Sequence, residues 1–165
     1  MKIIDKSKGH AHEAHAGQKD LAGEDYIMHV STVAHLVSKL TDDEETIAIA
    51  WLHDTIEDTD ATIHDERYKM YPRSVLDGIT QLTRPKHYPY KDYIREITSE
   101  KSKLVKIADL LHNQDDSRLP IGRRSAKRRR KYHDALLFLL DHDIERYNQM
   151  LLLYKRELKK YTHKG

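Results

Sequence analysis

The sequence contains no cysteine among its 165 residues. Disulfides, thiolate metal ligands and cysteine nucleophiles are therefore excluded, and a reducing compartment is compatible with the chain. Glycine and proline are scarce, at six and four residues, so they punctuate the chain rather than fill it. No apolar run approaches the ~20 residues needed to span a bilayer. The opening stretch MKIIDKSKGHAHEAH lacks the apolar core of a signal peptide, so a cytoplasmic location is expected. No segment alternates apolar and polar residues for long enough to suggest a sheet. Net charge is also small, +2 although 34% of residues are charged, which gives no global case for nucleic-acid binding.

The charge that is present is unevenly placed. Residues 41–66 hold ten acids and no Lys or Arg, whereas residues 123–131 hold seven Lys or Arg and no acid. Such a division suits a cation-holding region beside an anion-attracting one, or two solvated helix ends. The basic run lacks interleaved aromatics before Tyr132, which disfavours single-strand stacking. Twelve histidines are many for this length. His10, His12, His15 and His163 lie near the termini, where exposure is the default. His10, His12 and His15 lack the acidic partner or i+4 histidine that would make them a helical metal tract.

Apolar spacing predicts a single all-α domain over 1–165, a helical bundle ending in one long helix or a helix pair at about 124–160. A first helix is expected at about 6–18 and a second from Tyr26 to about Leu40. Thr41 reads as the N-cap of a third helix over about 43–57, with acids in its first turn. Shorter helices follow at 62–70 and 73–83, split at Pro72, then Tyr90 to Ile97 and Ser102 to Asp115. The apolar face of the tail is expected to comprise Ala135, Phe138, Leu139, Ile144, Tyr147, Leu151 and Tyr154.

The third helix is apolar on nearly every face, in the run IAIAWLHDTI, and so belongs in the middle of a bundle. Burying His53, Asp54 and Glu57 there is costly unless they are paired or hold a cation. Glu57 and Asp58 stand one helical turn beyond His53 and Asp54, over the same face. Asp109 sits in an equally apolar pattern, LVKIADLLHNQDD, with His112 and Asn113 one turn further on. His29 opens the second helix. Two imidazoles and two carboxylates suit a divalent ion such as Mn²⁺, Fe²⁺ or Zn²⁺. Such an ion acidifies bound water, and a carboxylate from Glu57 or Asp58 can orient that water or take its proton. Tyr93, Lys106 and Arg118 are candidate contacts for a phosphate or base, each weighed against a packing role. His112 is weighed the same way.

HDTIEDTD, taken with H-A-G-Q at 15–18, G-E-x-Y-I-x-H at 23–29 and V-K-I-A-D-L-L-H-N at 105–113, resembles the HD-domain phosphohydrolases. The nearest resemblance is to the hydrolase domain of RelA/SpoT-type alarmone enzymes and to the small alarmone hydrolases. It spans about residues 10–120, leaving 121–165 as C-terminal helices. It implies metal ligation by His29, His53, Asp54 and Asp109, water activation by Glu57 and Asp58, and a nucleotide contact at Asn113. It also implies Mn²⁺, with Fe²⁺, Zn²⁺ and Mg²⁺ as alternatives, and removal of 3′-pyrophosphate from a guanosine tetra- or pentaphosphate. Where those enzymes carry Arg-Lys-Ser, this chain has Asp20, Leu21 and Ala22, a charge reversal at the nucleotide pocket. Alternatives are hydrolysis of NADPH, a nucleoside phosphate or an oligonucleotide, and a non-catalytic domain that binds nucleotide or nucleic acid. The expected partner is a small nucleotide; no membrane contact is expected, and nucleic acid and self-association stay open.

Overall fold

The structure, a computed structural model, describes residues 1–162, so the expectation for His163 lies outside the described residues. Eight α-helices and no named strand occur among them: α1 Ile3–Ala14, α2 Tyr26–Leu40, α3 Glu44–Leu52, α4 Arg73–Leu82, α5 Tyr90–Arg95, α6 Glu100–Asn113, α7 Ala126–Leu139 and α8 Ile144–Thr162. Among the described residues, no helix is long and apolar enough to cross a membrane.

The bundle is organised around α3. All seven residues from Thr46 to Leu52 are buried, and the helix touches α1, α2, α4 and α6. Ile49 and Leu52 are fully buried, each contributing ~1.5–3 kcal/mol by transfer from water. The contact with α4 is close because position 78 is glycine: a Cβ there would lie 2.5 Å from Ile49 Cδ1. Against α3 pack Val30, Val33 and Val37 of α2 and Val105, Ala108 and Leu111 of α6. These two helices bring His29 and Asp109 to the same end of the core.

Several boundaries differ from the sequence expectation, each for a local reason. The first helix is Ile3–Ala14, not 6–18, and its end leads into a turn with Gly17 at φ 78°. Residue 41 closes α2 rather than opening α3. The cap of α3 is Asp43, whose side chain accepts from Thr46 N at 3.0 Å. Regular helix in α3 stops at Leu52, well short of 57. Beyond it the Thr55 hydroxyl donates to Leu52 O and the Thr59 hydroxyl to Thr55 O, so side chains compete for the carbonyls a helix would use. Residues 62–65 are irregular, and only Glu66–Met70 forms a 3₁₀ turn.

The tail forms two helices, broken where Asp141 and His142 take φ values of 55° and 57°. Its expected apolar face is only partly buried. Phe138 and Ile144 are 41% and 57% exposed, while Leu136 and Leu140 fill the core in their place. Proximity to the N-terminus also fails as a guide. His10 and His15 are buried, His10 between Tyr68 and Tyr71 and His15 against Tyr26.

Candidate functional site

Three segments converge where α2, the end of α3 and α6 meet. His29 projects from the first turn of α2, His53 caps α3, Asp54 follows it, and Asp109 lies midway along α6. All four are buried. One donor atom from each lies within 4.8 Å of the others. His29 Nε2 stands 3.4 Å from Asp54 Oδ2 and 3.1 Å from Asp109 Oδ1, and His53 Nε2 stands 3.0 and 3.6 Å from the same two oxygens. Donors bonded to one ion at ~2.1 Å stand ~3.0 Å apart at right angles and ~3.4 Å apart at tetrahedral angles. The observed spacings fall around these values.

The tautomers are set from behind. His53 Nδ1 is 2.7 Å from Ala50 O. A carbonyl can only accept, so Nδ1 carries the proton and Nε2 presents its lone pair to the cluster. That Nε2 is buried without a hydrogen-bond partner: Asp54 Oδ2 lies 3.0 Å away, but a lone pair has no proton to give a carboxylate. His29 Nδ1 lies 2.7 Å from His112 Nδ1. Burial, with the charges of His29 and Arg118, pushes His112 down to about 2, so it is neutral and accepts the His29 Nδ1–H. His29 Nε2 is thereby also left as a lone-pair donor. An orphaned imidazole nitrogen and two buried carboxylates aimed at one point fit a divalent cation. With the protein alone, burial works against charge on both imidazoles, but Asp109 and Asp54 outweigh it and hold them above their ordinary value.

Around this cluster lies a second set of side chains. Lys106 Nζ donates to Asp109 Oδ2 at 2.7 Å and Asn113 Nδ2 donates to Asp109 Oδ1 at 2.8 Å, so both residues orient the carboxylate. Burial opposes the Lys106 charge, but Asp109 overrides it and holds the ammonium well above its ordinary range. The Lys106 ammonium also lies 5.3 Å from the centre of the Tyr93 ring, whose hydroxyl donates to Leu82 O at 2.8 Å. Arg118 lies 3.8 Å from Asp20. Asp20 in turn accepts from Ala22 N and Glu24 N at 2.8 and 3.0 Å, shaping the loop before α2. The charge reversal at position 20 is thus answered by an arginine brought from after α6.

Glu57 and Asp58 reach the cluster from the irregular turns after α3, with Asp58 N bonded to Asp54 O at 3.0 Å. Both are exposed. Crowding by protein and the neighbouring Asp54 charge push the Glu57 carboxyl up to about 7, and push Asp58 upward by the same two causes. Tyr26 connects this pair to the cluster. Its hydroxyl is 2.7 Å from Asp54 Oδ2 and 2.8 Å from Asp58 Oδ2. One proton can serve only one of these oxygens. His15 supports the Tyr26 ring at 5.0 Å between centroids, itself fixed by a 2.8 Å bond to Gln18 Oε1. The H-A-G-Q motif therefore acts through Tyr26.

Tyr26 lies inside the G-E-x-Y-I-x-H motif, but its position in the sequence assigns it no role, and His112, expected either to pack or to contact substrate, is buried against His29. A third group includes Lys131 from the end of the basic run, but no motif gathers its other members. Arg84, Tyr90, Lys131 and Tyr132 gather beside Lys106, joined by cation–π and edge contacts. They come from the 83–89 loop, α5 and α7, and no spacing within one segment links them. The site is consequently two-sided: carboxylates and Tyr26 on one flank, cations and tyrosines on the other.

Residues 9–118 match the family model described as HD domain. The chain is 33% identical over 138 residues to the GTP pyrophosphokinase rsh of Brucella ovis, covering 73% of this chain and 18% of that protein. It is 34% identical over 115 residues to the bifunctional (p)ppGpp synthase/hydrolase SpoT of Escherichia coli K12, covering 62% and 16%. It is 38% identical over 86 residues to the guanosine-3′,5′-bis(diphosphate) 3′-pyrophosphohydrolase of Aquifex aeolicus, covering 51% and 12%. The chain thus spans less than a fifth of the length of these relatives. A solved structure described as a metazoan ortholog of SpoT that hydrolyzes ppGpp superposes with a TM-score of 0.73 at 25% identity, over 95% of this chain and 96% of that one.

Proposed function

The chain belongs to the HD-domain family, and from that premise we propose that it is a divalent-metal-dependent nucleotide phosphohydrolase that removes 3′-pyrophosphate from (p)ppGpp. The observation that carries this reading is the convergence of His29, His53, Asp54 and Asp109 around a buried, unpartnered His53 Nε2. Those four residues would hold the ion. Mn²⁺ is the ion we assign, because two imidazoles and two carboxylates form a mixed donor set of intermediate hardness. A divalent ion there acidifies water and draws charge from a phosphoryl oxygen.

The chain's own groups supply the rest. Glu57, whose carboxyl is pushed up to about 7, takes a proton from the attacking water when in its ionised form, and Asp58, held by Tyr26, orients it. Water oxygen bonds to the phosphorus on the sugar 3′ oxygen, the bond between them breaks, and pyrophosphate is released. Glu57 returns its proton to the leaving 3′ oxygen. His112 and Ala50 O hold the imidazoles in the tautomer required, and Lys106 and Asn113 hold Asp109. A cytoplasmic location goes with a free nucleotide substrate.

Asp20, Leu21 and Ala22 favour a second reading in which the same centre hydrolyses a different nucleotide, such as NADPH. The test is turnover by the purified chain with Mn²⁺, offered (p)ppGpp, NADPH, nucleoside phosphates and short oligonucleotides, with products identified by chromatography. Release of pyrophosphate from (p)ppGpp and its loss in His53→Ala with Asp54→Ala is the expected result. Turnover of another nucleotide alone moves the assignment to that substrate. Undiminished turnover in the double variant overturns the metal centre.

A further inference from the structure

The cationic flank contains a group that the hydrolytic machinery leaves unused. Tyr90, the first residue of α5, has a buried hydroxyl with no hydrogen-bond partner. Buried phenols ordinarily find one. The Tyr90 ring lies 6.0 Å from that of Tyr93, against which stands the Lys106 ammonium at 5.3 Å, and Lys106 in turn donates to Asp109, so this residue adjoins the buried cluster. Arg84 and Lys131 both lie against the ring of Tyr90, at 5.6 and 4.7 Å from its centre. Lys131 Nζ is also 4.9 Å from the centre of Tyr132.

This cluster concentrates positive charge without neutralising it. Among the described residues, no carboxylate forms an ion pair with the Arg84 or Lys131 side chain, whereas Lys106 has Asp109 and Arg128 has Asp116. Partial burial and the like charges of Arg84, Lys106 and Arg128 push the Lys131 ammonium below its ordinary value. Two cations against one aromatic ring, beside an unpaired hydroxyl, form a receptor for an anion. A cavity of about 230 Å³ opens on the Tyr90 and Lys131 side of the cluster, with Lys91, Arg95, Asp134 and Phe138 also on its wall.

We propose that Arg84, Tyr90 and Lys131 form a phosphate subsite that binds the nucleotide's second phosphate group, the one that is not cleaved, and so select doubly phosphorylated nucleotides. The proposal rests on the hydrolase reading above for the place of the cleaved group. Arg84 and Lys131 supply charge-assisted hydrogen bonds, and the Tyr90 hydroxyl supplies a neutral one. The position of Lys131 at the end of the basic run also gives that run a purpose at the catalytic centre.

The experiment is calorimetric titration of the full Mn²⁺-loaded chain with guanosine 5′-diphosphate and with guanosine, neither of which carries a 3′-pyrophosphate to cleave. The wild type binds the diphosphate more tightly. Lys131→Ala and Arg84→Ala each weaken the diphosphate about tenfold and Tyr90→Phe about threefold, with guanosine unchanged. Lys127→Ala, an exposed member of the same basic run, leaves both affinities unchanged. With (p)ppGpp as substrate, the Lys131 and Arg84 variants raise KM about tenfold and keep kcat. Unchanged diphosphate affinity in both Lys131→Ala and Arg84→Ala overturns the subsite, even where (p)ppGpp is hydrolysed. Charge-dependent diphosphate binding in a chain that cleaves no nucleotide retains the subsite and removes the hydrolase reading.

Discussion

Replacing His112 by leucine tests whether the metal centre is held from behind. His112 and His29 are 4% and 3% exposed, and their Nδ1 atoms are 2.7 Å apart. Leucine fills much of the same volume and removes the acceptor. The His29 Nδ1–H is then buried with nothing to bond, at a cost of ~1–3 kcal/mol. Loss of a partner behind a metal-binding histidine independently lowers metal affinity ~10–100-fold, or ~1.4–2.7 kcal/mol. The two routes agree in size. At a metal concentration of ~100 times the wild-type Kd, bound metal stabilises the fold by ~2.7 kcal/mol. A hundredfold weaker variant retains only ~0.4 kcal/mol of this at the same concentration. For a chain of this length the difference removes ~5–9 °C of the rise in Tm that Mn²⁺ produces. Metal titration by calorimetry and paired melting curves with and without Mn²⁺ measure both quantities. His112→Gln, which restores an acceptor, recovers part of the affinity. A folded His112→Leu variant with wild-type Mn²⁺ affinity and an undiminished metal-induced rise in Tm would refute the argument.

Two further expectations concern groups elsewhere in the bundle. Glu57 is pushed up to about 7 in the fold, so the native state retains its proton while the unfolded chain loses it from about 4.5 upward. Stability of the metal-free protein therefore falls as pH rises through that window, and Glu57→Gln raises Tm at pH 8 while lowering kcat ~10²–10⁴-fold. Cation binding cancels the Asp54 charge, so the acidic limb of the pH–rate profile lies at or below about 7; a Glu57→Gln variant with full kcat would remove the residue from the mechanism. In the core, Gly78→Ala places a methyl 2.5 Å from Ile49 Cδ1 and destabilises the fold by ~1–3 kcal/mol, measured by denaturant melting; an unchanged midpoint would show that the Ile49 side chain turns aside at no cost.

The buried quartet of His29, His53, Asp54 and Asp109 was legible in the sequence because its cost was legible. Charged side chains inside the apolar runs around His53 and Asp109 require a reason to be buried, and a shared ion provides one. The spacing from Tyr26 to about Leu40 likewise announced α2, because its apolar residues recur on one helical face. Boundaries were legible only where a residue type forbids continuation. The break at Asp141 and His142 has no Gly or Pro to announce it. The end of α3 is set by threonine hydroxyls that bond to carbonyls, a choice that composition alone does not dictate.

By itself, then, the sequence determined the helical class, the buried middle helix and the four donors, since periodicity and the penalty for burying charge act within single segments. Tertiary structure alone decided what surrounds those donors. It set His112 behind His29, gave Asp20 an arginine from after α6, tied Tyr26 to both Asp54 and Asp58, and gathered Arg84, Tyr90 and Lys131 from three separate segments. The physical reason is range. Hydrophobic spacing records which face of a helix turns inward, whereas hydrogen bonds and cation–π contacts between segments depend on how the helices dock.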